Sequence, residues 1–181
     1  MKPPSGTDSL PARLQSPIVG GIDIREVAGC TCLRLRRSSR EATRLFDAHL
    51  SKVGLTIGQF GLMARLYAVG IFRESISIRD LAKLFGMDAT TLVRTLKPLE
   101  QQGWIVGEQN PKDRRSRLLT LTKEGRERLA VAMPQWEAAQ RELRESIGEP
   151  SALALNGMLD LVGQKLQLDL SALDEETTPP I

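Results

Sequence analysis

The sequence predicts a mainly α-helical fold with one small β-hairpin, arranged as a winged helix-turn-helix plus a helical dimerisation domain. Hydrophobic residues make up 41% of the chain and aromatic residues only 4%, which is typical of helix-rich proteins rather than β-sandwiches. Residues 77–102 have the pattern of two helices joined by a tight turn. Two short strand-like runs within 104–122 follow, and they flank a turn rich in basic residues. Helix, turn, helix and basic hairpin, in this order, are the elements of the winged fold.

The N-terminal region divides into an irregular stretch and a first helix. Residues 1–28 contain four prolines and three glycines without a sustained period, which indicates a flexible tail or an extended arm. From Thr31 to about Val53 apolar residues recur at helical spacing, and arginines fall between them. This stretch is therefore predicted to be an amphipathic helix with a cationic side.

Local start signals place the next three helices. Thr56–Gln59 has the pattern of a capping box, which opens a helix that ends near Gly70. Ser77–Asp80 is an acidic version of the same signal, and Gly86 stops the short helix after it.

The third of these helices, Ala89 to Gln102, is predicted to carry the DNA-reading surface. Asp88 caps its start and Gly103 ends it. Pro98 lies late in this helix, where it costs a hydrogen bond and is expected to bend it. The inner face consists of leucines: Leu92, Leu96 and Leu99.

Two further helices are predicted after the hairpin. Thr122 caps a long helix through Ser146, and its apolar stripe is spaced 3, 4, 3, 4, as in Leu129, Ala132, Trp136, Ala139 and Leu143. The last helix runs from Pro150 to Gln167, with four apolar residues expected to face inward: Leu155, Leu159, Val162 and Leu166.

These elements predict five segments along the chain. They are an N-terminal arm (1–28), a first dimerisation helix (29–54), a winged helix-turn-helix DNA-binding domain (55–121), C-terminal dimerisation helices (122–170) and a polar tail (171–181). The flanking helices each carry an apolar stripe that a lobe of about 70 residues cannot cover, whereas a second copy can.

Composition and charge narrow the function classes. Residues 1–28 are neutral and the last residues add three acids, so a net charge of +3 leaves about +6 on residues 29–173, which favours a polyanionic partner. No apolar run approaches the ~20 residues of a membrane span, and no secretory signal is evident. Two cysteines cannot form a disulfide framework, so the expected compartment is the cytoplasm. A single histidine, with no glycine-rich phosphate loop and no paired carboxylates, argues against an enzyme, a metal site or a cofactor.

The chain resembles the MarR family of bacterial transcriptional regulators over roughly residues 30–168. The resemblance rests on stretches that occur in the family's order: Leu81–Leu84, Asp88–Arg94, Leu99–Ile105, Asp113–Arg117, Leu121–Gly125 and Met133–Gln140. It implies a homodimer in which the terminal segments interleave and two winged lobes bind double-stranded DNA. The expected function is a repressor on a pseudo-palindromic operator with half-sites about one helical turn apart.

The residues expected to contact DNA lie first on the reading helix. Such a helix reads base edges with side chains near its N-terminus, which indicates Ala89, Thr90, Thr91 and Arg94, with Lys97 one turn later. Local capping of the helix start is the alternative role for the threonines.

The basic turn supplies the second set. Asp113 and Arg115 match the family's Asp-x-Arg, and the resemblance implies that the aspartate braces the turn by pairing with an arginine while an arginine reaches the minor groove. Lys112 and Arg114 are also expected near the tip, and Arg117 at a phosphate. The alternative is a solvated charge run on a hairpin.

Two kinds of switch are expected from the resemblance. Members of the family usually release DNA when a small phenolic or other apolar acid binds, or when a cysteine is oxidised. The candidate pocket has apolar walls and a few polar tips: Leu45, Phe46, His49, Leu62, Leu66, Tyr67 and Trp136. Each of these residues also has a plain explanation as core or dimer packing.

The alternative switch is a thiol. Cys30 and Cys32 fall where the first helix begins, and a helix N-terminus stabilises a thiolate. Against it, the two thiols of a Cys-x-Cys pair on a helix point to different sides, and the chain has only Tyr67 where fuller sensors have paired tyrosines. Two other classes remain open: a non-specific architectural DNA-binding protein, and an interaction module without DNA binding.

Overall fold

The computed structural model describes residues 18–72, 75–111 and 113–166, and the side chains of Arg114 and Arg115 are not among what it describes. The chain divides into two compact units, residues 1–42 and 43–181. The first unit holds a small hairpin and the beginning of a long helix, and the second holds the remaining helices and a three-stranded sheet.

The described part of the first unit begins with a β-hairpin. Strands β1 (Ile18–Val19) and β2 (Ile22–Asp23) pair antiparallel, and a 3-10 helix follows over Ile24–Gly29. The Asp23 carboxylate accepts a hydrogen bond from the backbone N–H of Arg25 at 2.9 Å and caps this turn. The Arg25 guanidinium also donates to that carboxylate, which lowers the pKa of Asp23. Local bonding thus gives residues 18–29 regular structure. The flexible or extended arm expected over residues 1–28 stays a prediction, and residues 1–17 lie outside the described ranges.

Six α-helices are present in the described residues. They are α1 (Thr31–Leu50), α2 (Ile57–Phe72), α3 (Ile78–Leu84), α4 (Ala89–Gln101), α5 (Lys123–Ile147) and α6 (Glu149–Lys165). A 3-10 turn, Ser51–Val53, follows α1 directly. Helix α2 continues two residues past its expected end, because Gly70 keeps a negative φ instead of the left-handed conformation that ends a helix. Helix α4 continues through Pro98 to its end.

The predicted helix start signals are confirmed by hydrogen bonds. In the capping box, the N–H of Thr56 donates to the side chain of Gln59 at 3.0 Å, and the N–H of Gln59 donates to the Thr56 hydroxyl at 3.3 Å. The hydroxyl groups of Ser77 and Thr122 cap α3 and α5 in the same way. A cap that the sequence does not reveal also exists: Asp47 on α1 accepts a hydrogen bond from the N–H of Ile57 at 2.6 Å.

The sheet contains the wing and one further strand. Strands β3 (Ile76–Ser77), β4 (Ile105–Asn110) and β5 (Asp113–Leu121) are antiparallel in the order β3-β5-β4. The predicted hairpin is therefore confirmed. The two residues of β3 were not predicted as a strand, because so short a segment shows no alternation.

The core of the second unit lies where α2, α3, α4, β5 and α5 meet. Its most buried large side chains are Leu50, Leu62, Met63, Leu81, Leu92, Leu96, Leu99 and Leu119. None of the described polar or charged side chains is buried, so apolar packing holds this unit together.

The inward face predicted for α6 is wrong for a single chain. Leu155 and Leu159 are each 44% exposed and Leu166 is 69% exposed, while Val162 is half-buried. The buried residues of α6 are instead the small ones, Ala152 and Gly163. Periodicity shows which residues share a face, but it does not show whether one chain alone covers that face.

Membrane-spanning potential is low among the described helices. No single described helix is long and apolar enough to cross a membrane. Thr31–Val53 and Ile57–Phe72, which are joined at a bend, reach the necessary length and apolar composition only when they are counted together.

Candidate nucleic-acid interface

The start of α4 is fixed by Asp88. Its carboxylate accepts a hydrogen bond from the N–H of Thr91 at 2.9 Å and another from the Thr91 hydroxyl at 2.6 Å. The Thr91 side chain is the main cause that lowers the pKa of Asp88, and the backbone N–H of Thr91 adds to it. The hydroxyl proton of Thr91 is thus committed to the cap, although its oxygen can still accept a hydrogen bond. Thr91 therefore has the capping role that the sequence left open beside DNA contact.

Helix α4 has one apolar face and one polar face. Leu92, Leu96 and Leu99 are at most 2% exposed and anchor the helix in the core. Residues at the helical spacing of the opposite face are exposed: Ala89, Thr90, Val93, Arg94 and Lys97. Four of these five were predicted as DNA contacts.

Val93 was missed because an apolar residue at this position suggests core packing. It is 47% exposed and lies beside Arg94 in the sequence. Its position on the polar face, visible from the 3.6-residue period, is the signal that could have identified it. An exposed methyl-bearing side chain there is suited to the methyl group of thymine.

The wing turn is held by its own polar side chains. The Asn110 amide donates to the Ser116 hydroxyl at 3.0 Å, and that hydroxyl donates to the carbonyl of Asp113 at 3.1 Å. Asp113 is exposed. Lys112 and the side chains of Arg114 and Arg115 lie outside the described residues, so the pairing of Asp113 with an arginine and the arginine at the minor groove stay predictions.

Arg117 connects the wing to α4. Its guanidinium lies 2.9 Å from the carboxylate of Glu100 and donates to the carbonyl of Gly107 at 3.2 Å. A Cβ atom at Gly107 would lie 2.5 Å from this guanidinium, so the absence of a side chain there leaves room for the ion pair. The sequence led us to expect Arg117 at a phosphate; in the unbound chain it is bonded within the protein, although 49% of its side chain is exposed.

The base of the wing packs against α5. Ile105 is 2% exposed, and the half-buried Trp104 lies with its ring under the guanidinium of Arg128, 5.2 Å from the ring centroid. The carbonyl of Trp104 accepts a hydrogen bond from the N–H of Thr122 at 3.0 Å. Trp104 and Ile105 therefore have a packing role at the base of the wing, with α5 as a partner of Trp104.

The seven candidate pocket residues occupy different surroundings. Phe46, Leu62 and Leu66 are buried in the core, and Leu45 is half-buried. Trp136 stacks on Phe60 with ring centroids 6.0 Å apart and lines a groove beside the start of α6. Leu66 and Tyr67 line a separate groove between α2 and β5.

His49 has a specific partner. Its Nε2 lies 2.7 Å from the carboxylate of Glu142 on α5, while its Nδ1 is buried without a hydrogen-bond partner among the described residues. No group of metal-ligating side chains occurs in the described ranges. His49 thus links the end of α1 to α5.

The two cysteines are free and differ in access. Cys32 is exposed in the first turns of α1, and Cys30, which immediately precedes that helix, is half-buried.

Comparison with known proteins identifies the region that contains this interface. Residues 55–116 match the MarR family model. A Bacillus subtilis organic hydroperoxide resistance transcriptional regulator is 32% identical over 94 residues, which cover 52% of this chain and 61% of that protein. Residues 55–116 are thus similar to the MarR family. The MarR multiple antibiotic resistance protein of Salmonella typhimurium is 31% identical over 87 residues, or 48% of this chain and 58% of that protein.

Solved MarR-family structures have the same fold. The transcriptional repressor CouR, bound to a 23-mer DNA duplex, has a TM-score of 0.67 at 27% identity, covering 78% of this chain and 98% of its own. The Mycobacterium tuberculosis regulator MosR in complex with DNA has a TM-score of 0.63 at 28% identity, covering 76% and 98%. The winged helix-turn-helix prediction is confirmed, and these MarR-family proteins are transcriptional regulators rather than enzymes. The sequence matches to the two curated relatives span about 60% of their lengths.

Proposed function

We propose that this protein is a sequence-specific transcriptional repressor that binds a pseudo-palindromic operator as a homodimer. One observation supports this most strongly: α4 is anchored by three buried leucines and presents Thr90, Arg94 and Lys97 together on its exposed face. A rigid helix with a basic, hydroxyl-bearing face suits the major groove, where arginine can make a bidentate contact to guanine. DNA is also the partner in two similar solved structures. A regulator of this kind acts on the chromosome, hence in the cytoplasm.

The homodimer is supported by apolar surface that one chain leaves open. Along α6, five large apolar side chains are between 44% and 63% exposed: Leu153, Leu155, Met158, Leu159 and Leu161. Apolar patches of this kind on a soluble protein mark interaction surfaces. A two-fold dimer also matches the symmetry of a pseudo-palindrome.

The DNA-binding proposal is tested by fluorescence anisotropy at fixed salt. The probe is duplex DNA from immediately upstream of the gene for this protein, compared with a scrambled duplex. Specific binding predicts a preference of about 10³ or more. Arg94→Ala should weaken operator binding about fivefold or more, since a good bidentate base contact is worth about 1–3 kcal/mol. Arg141→Ala removes an exposed arginine from α5 and is the matched control. Equal binding to both duplexes would favour an architectural protein instead.

Release by a small apolar acid is the proposed switch. A groove of about 650 Å³ between α2 and α5 has apolar walls that include Ala64, Leu129 and Met133, and its lining also includes Tyr67 and Arg126. This volume lies within the range of small-molecule sites. The guanidinium of Arg126 can donate hydrogen bonds to a carboxylate or phenolate while the walls hold an aromatic ring.

A panel of aromatic carboxylates and phenols tests this switch. An effector should lower operator affinity in the anisotropy assay, and Arg126→Gln should weaken its effect. Lys123→Gln, one turn earlier on α5, removes an exposed cation outside the groove and should leave the response unchanged. An effector that acts equally on wild type and Arg126→Gln would exclude this groove.

Oxidation of a thiol is the second candidate switch. Cys32 is exposed at the start of α1, and one relative is named as an organic hydroperoxide resistance regulator. Peroxide should then abolish operator binding in wild type, reductant should restore it, and Cys32→Ser should be insensitive. Cys30→Ser separates the two thiols. Binding that peroxide does not change would exclude the thiol switch.

A further inference from the structure

Arg128 lies at a junction of three elements in the second unit. It belongs to α5 and is half-buried. Its guanidinium donates a hydrogen bond to the carbonyl of Val53 and lies 5.2 Å from the centroid of the Trp104 ring. These contacts tie the segment that follows α1 to the base of the wing, although the two are far apart in sequence.

The turn at Val53 offers the Arg128 guanidinium a carbonyl acceptor and a position without a side chain. Val53 ends the 3-10 turn Ser51–Val53, and Gly54 follows in the left-handed conformation with φ of 68°. A Cβ atom at Gly54 would lie 3.2 Å from the Arg128 guanidinium. Carbonyl groups at the end of a helical segment attract a cation, so this turn offers Arg128 both an acceptor and room.

On the other side of the junction, Trp104 connects to α4 and to the wing. The N–H of Trp104 donates to the carbonyl of Leu99 on α4 at 3.0 Å, and its carbonyl accepts from Thr122 before α5. Trp104 also immediately precedes β4, the first strand of the wing. Contacts that hold Trp104 in place therefore also hold the connection between α4 and the wing.

We infer that Arg128 is a positioning residue for operator recognition: it sets the angle of α4 and the wing against the end of α1. This role rests on the proposed function. The Nε of Arg128 is buried and has no hydrogen-bond partner among the described residues, so Val53 and the Trp104 ring carry the interaction. A shift of the 51–54 turn away from α5 removes the acceptor and frees Trp104. Movement of the α1 end is thereby coupled to the geometry of the reading surface.

The test compares Arg128→Met with wild type in the operator assay. Methionine keeps an unbranched apolar stem but has no donor and no charge. Operator affinity should fall about three- to thirtyfold, the size of effect that a coupling residue without ligand contact has. Binding to the scrambled duplex should stay within twofold. Arg141→Met, the same substitution on the exposed surface of α5, is the control and should change neither affinity.

Salt dependence separates positioning from direct contact. Arg128 faces protein groups, so Arg128→Met should leave the slope of log K against log salt unchanged. Loss of a phosphate contact reduces that slope by about 0.9, which is the result expected for Lys97→Ala. Partial unfolding would weaken operator and scrambled binding by the same factor.

Trp104 emission gives an independent readout of the contact. The chain has two tryptophans, so Trp136→Phe leaves Trp104 as the sole reporter and keeps an aromatic ring against Phe60. Arg128→Met should shift that emission. In a Trp104→Leu background, Arg128→Met should cause no further loss of operator affinity. In a Trp104→Phe background, which keeps an aromatic ring, Arg128→Met should still lower operator affinity.

The operator assay distinguishes failure of the positioning role from failure of the proposed function. Wild-type operator affinity in Arg128→Met, or equal loss on both duplexes, overturns the positioning role and leaves the proposed function standing. A wild-type protein without operator preference overturns the proposed function, and the positioning role with it.

Discussion

A single carboxylate organises the start of the reading helix. Asp88 accepts two hydrogen bonds from Thr91, one from its backbone and one from its hydroxyl. The cap thus fixes the first turn of α4 and the rotamer of one predicted DNA contact together. Thr90 and Arg94 are exposed beside it, so the surface that α4 presents to DNA under the proposed function depends on the Asp88 cap.

The direction of the Asp88 pKa shift predicts how the stability that this cap contributes depends on pH. The pKa of Asp88 is lowered from 3.8, chiefly by the Thr91 hydroxyl, so the ionised carboxylate favours the folded state. This stabilisation is complete above the unfolded value and is lost as pH falls through the lower folded value. Asp88→Ala should melt below wild type at pH 7, and the difference in melting temperature should narrow as the pH falls from the unfolded pKa through the lower folded pKa.

Thermal melts of both proteins between pH 7 and pH 2.5 measure this gap. Glu108→Gln, which removes an exposed carboxylate from β4, corrects for the general effect of acid. A gap of constant size down to the lowest pH would show that the Asp88 charge contributes nothing to the cap.

At the level of elements, the first turn of α5 is packed directly onto the base of the wing. Gly125 is buried, and a Cβ atom there would lie 2.1 Å from the carbonyl oxygen of Trp104. Backbone atoms cannot move aside as a flexible side chain can. The close approach lets Thr122 bond the carbonyls of both Gly103 and Trp104 while it caps α5.

Gly125→Ala should therefore destabilise the fold by about 1–3 kcal/mol, the usual cost of overpacking. The same substitution at Gly58, in the first turn of α2, meets only the Thr56 hydroxyl at 4.0 Å and should not lower the free energy of unfolding. Urea unfolding of the two variants measures both free energies. Similar stability in the two variants would contradict the close contact at Trp104.

The elements also show what sequence could and could not predict. Helix starts were predicted well because a cap such as Ser77 or Thr122 acts within three residues. The partners of Arg117 and His49 were not predictable, since Glu100 and Glu142 meet them only after distant segments pack. Strand β3 was missed because its pairing with β5 is likewise non-local. Local sequence signals were thus sufficient to predict helix α4. The residues that contact α4 from other segments could not be predicted, because tertiary packing determines them.

At the scale of the whole molecule, the exposed face of α6 bears on assembly. Its buried residues are small, while Leu155 and Leu159 project with 44% of their surface exposed. Partial exposure of several neighbouring large apolar groups is unfavourable in water and is relieved by association. A second copy could cover this face, which is the homodimer proposed above.

Leu159→Glu tests this assembly because it places a charge within the exposed apolar face without touching the buried residues of the chain. Burial of an unpaired carboxylate in an interface is strongly unfavourable. Light scattering coupled to gel filtration should change from about twice the chain mass of 20.0 kDa to that mass alone. Gln164→Glu, an exposed polar site on α6, is the control for added charge and should remain dimeric.

The monomer should also lose most of its operator affinity, because one lobe reaches one half-site. A Leu159→Glu protein that stays dimeric and binds the operator normally would mean that the α6 face is not the dimer contact, and another apolar surface would have to hold the two copies together.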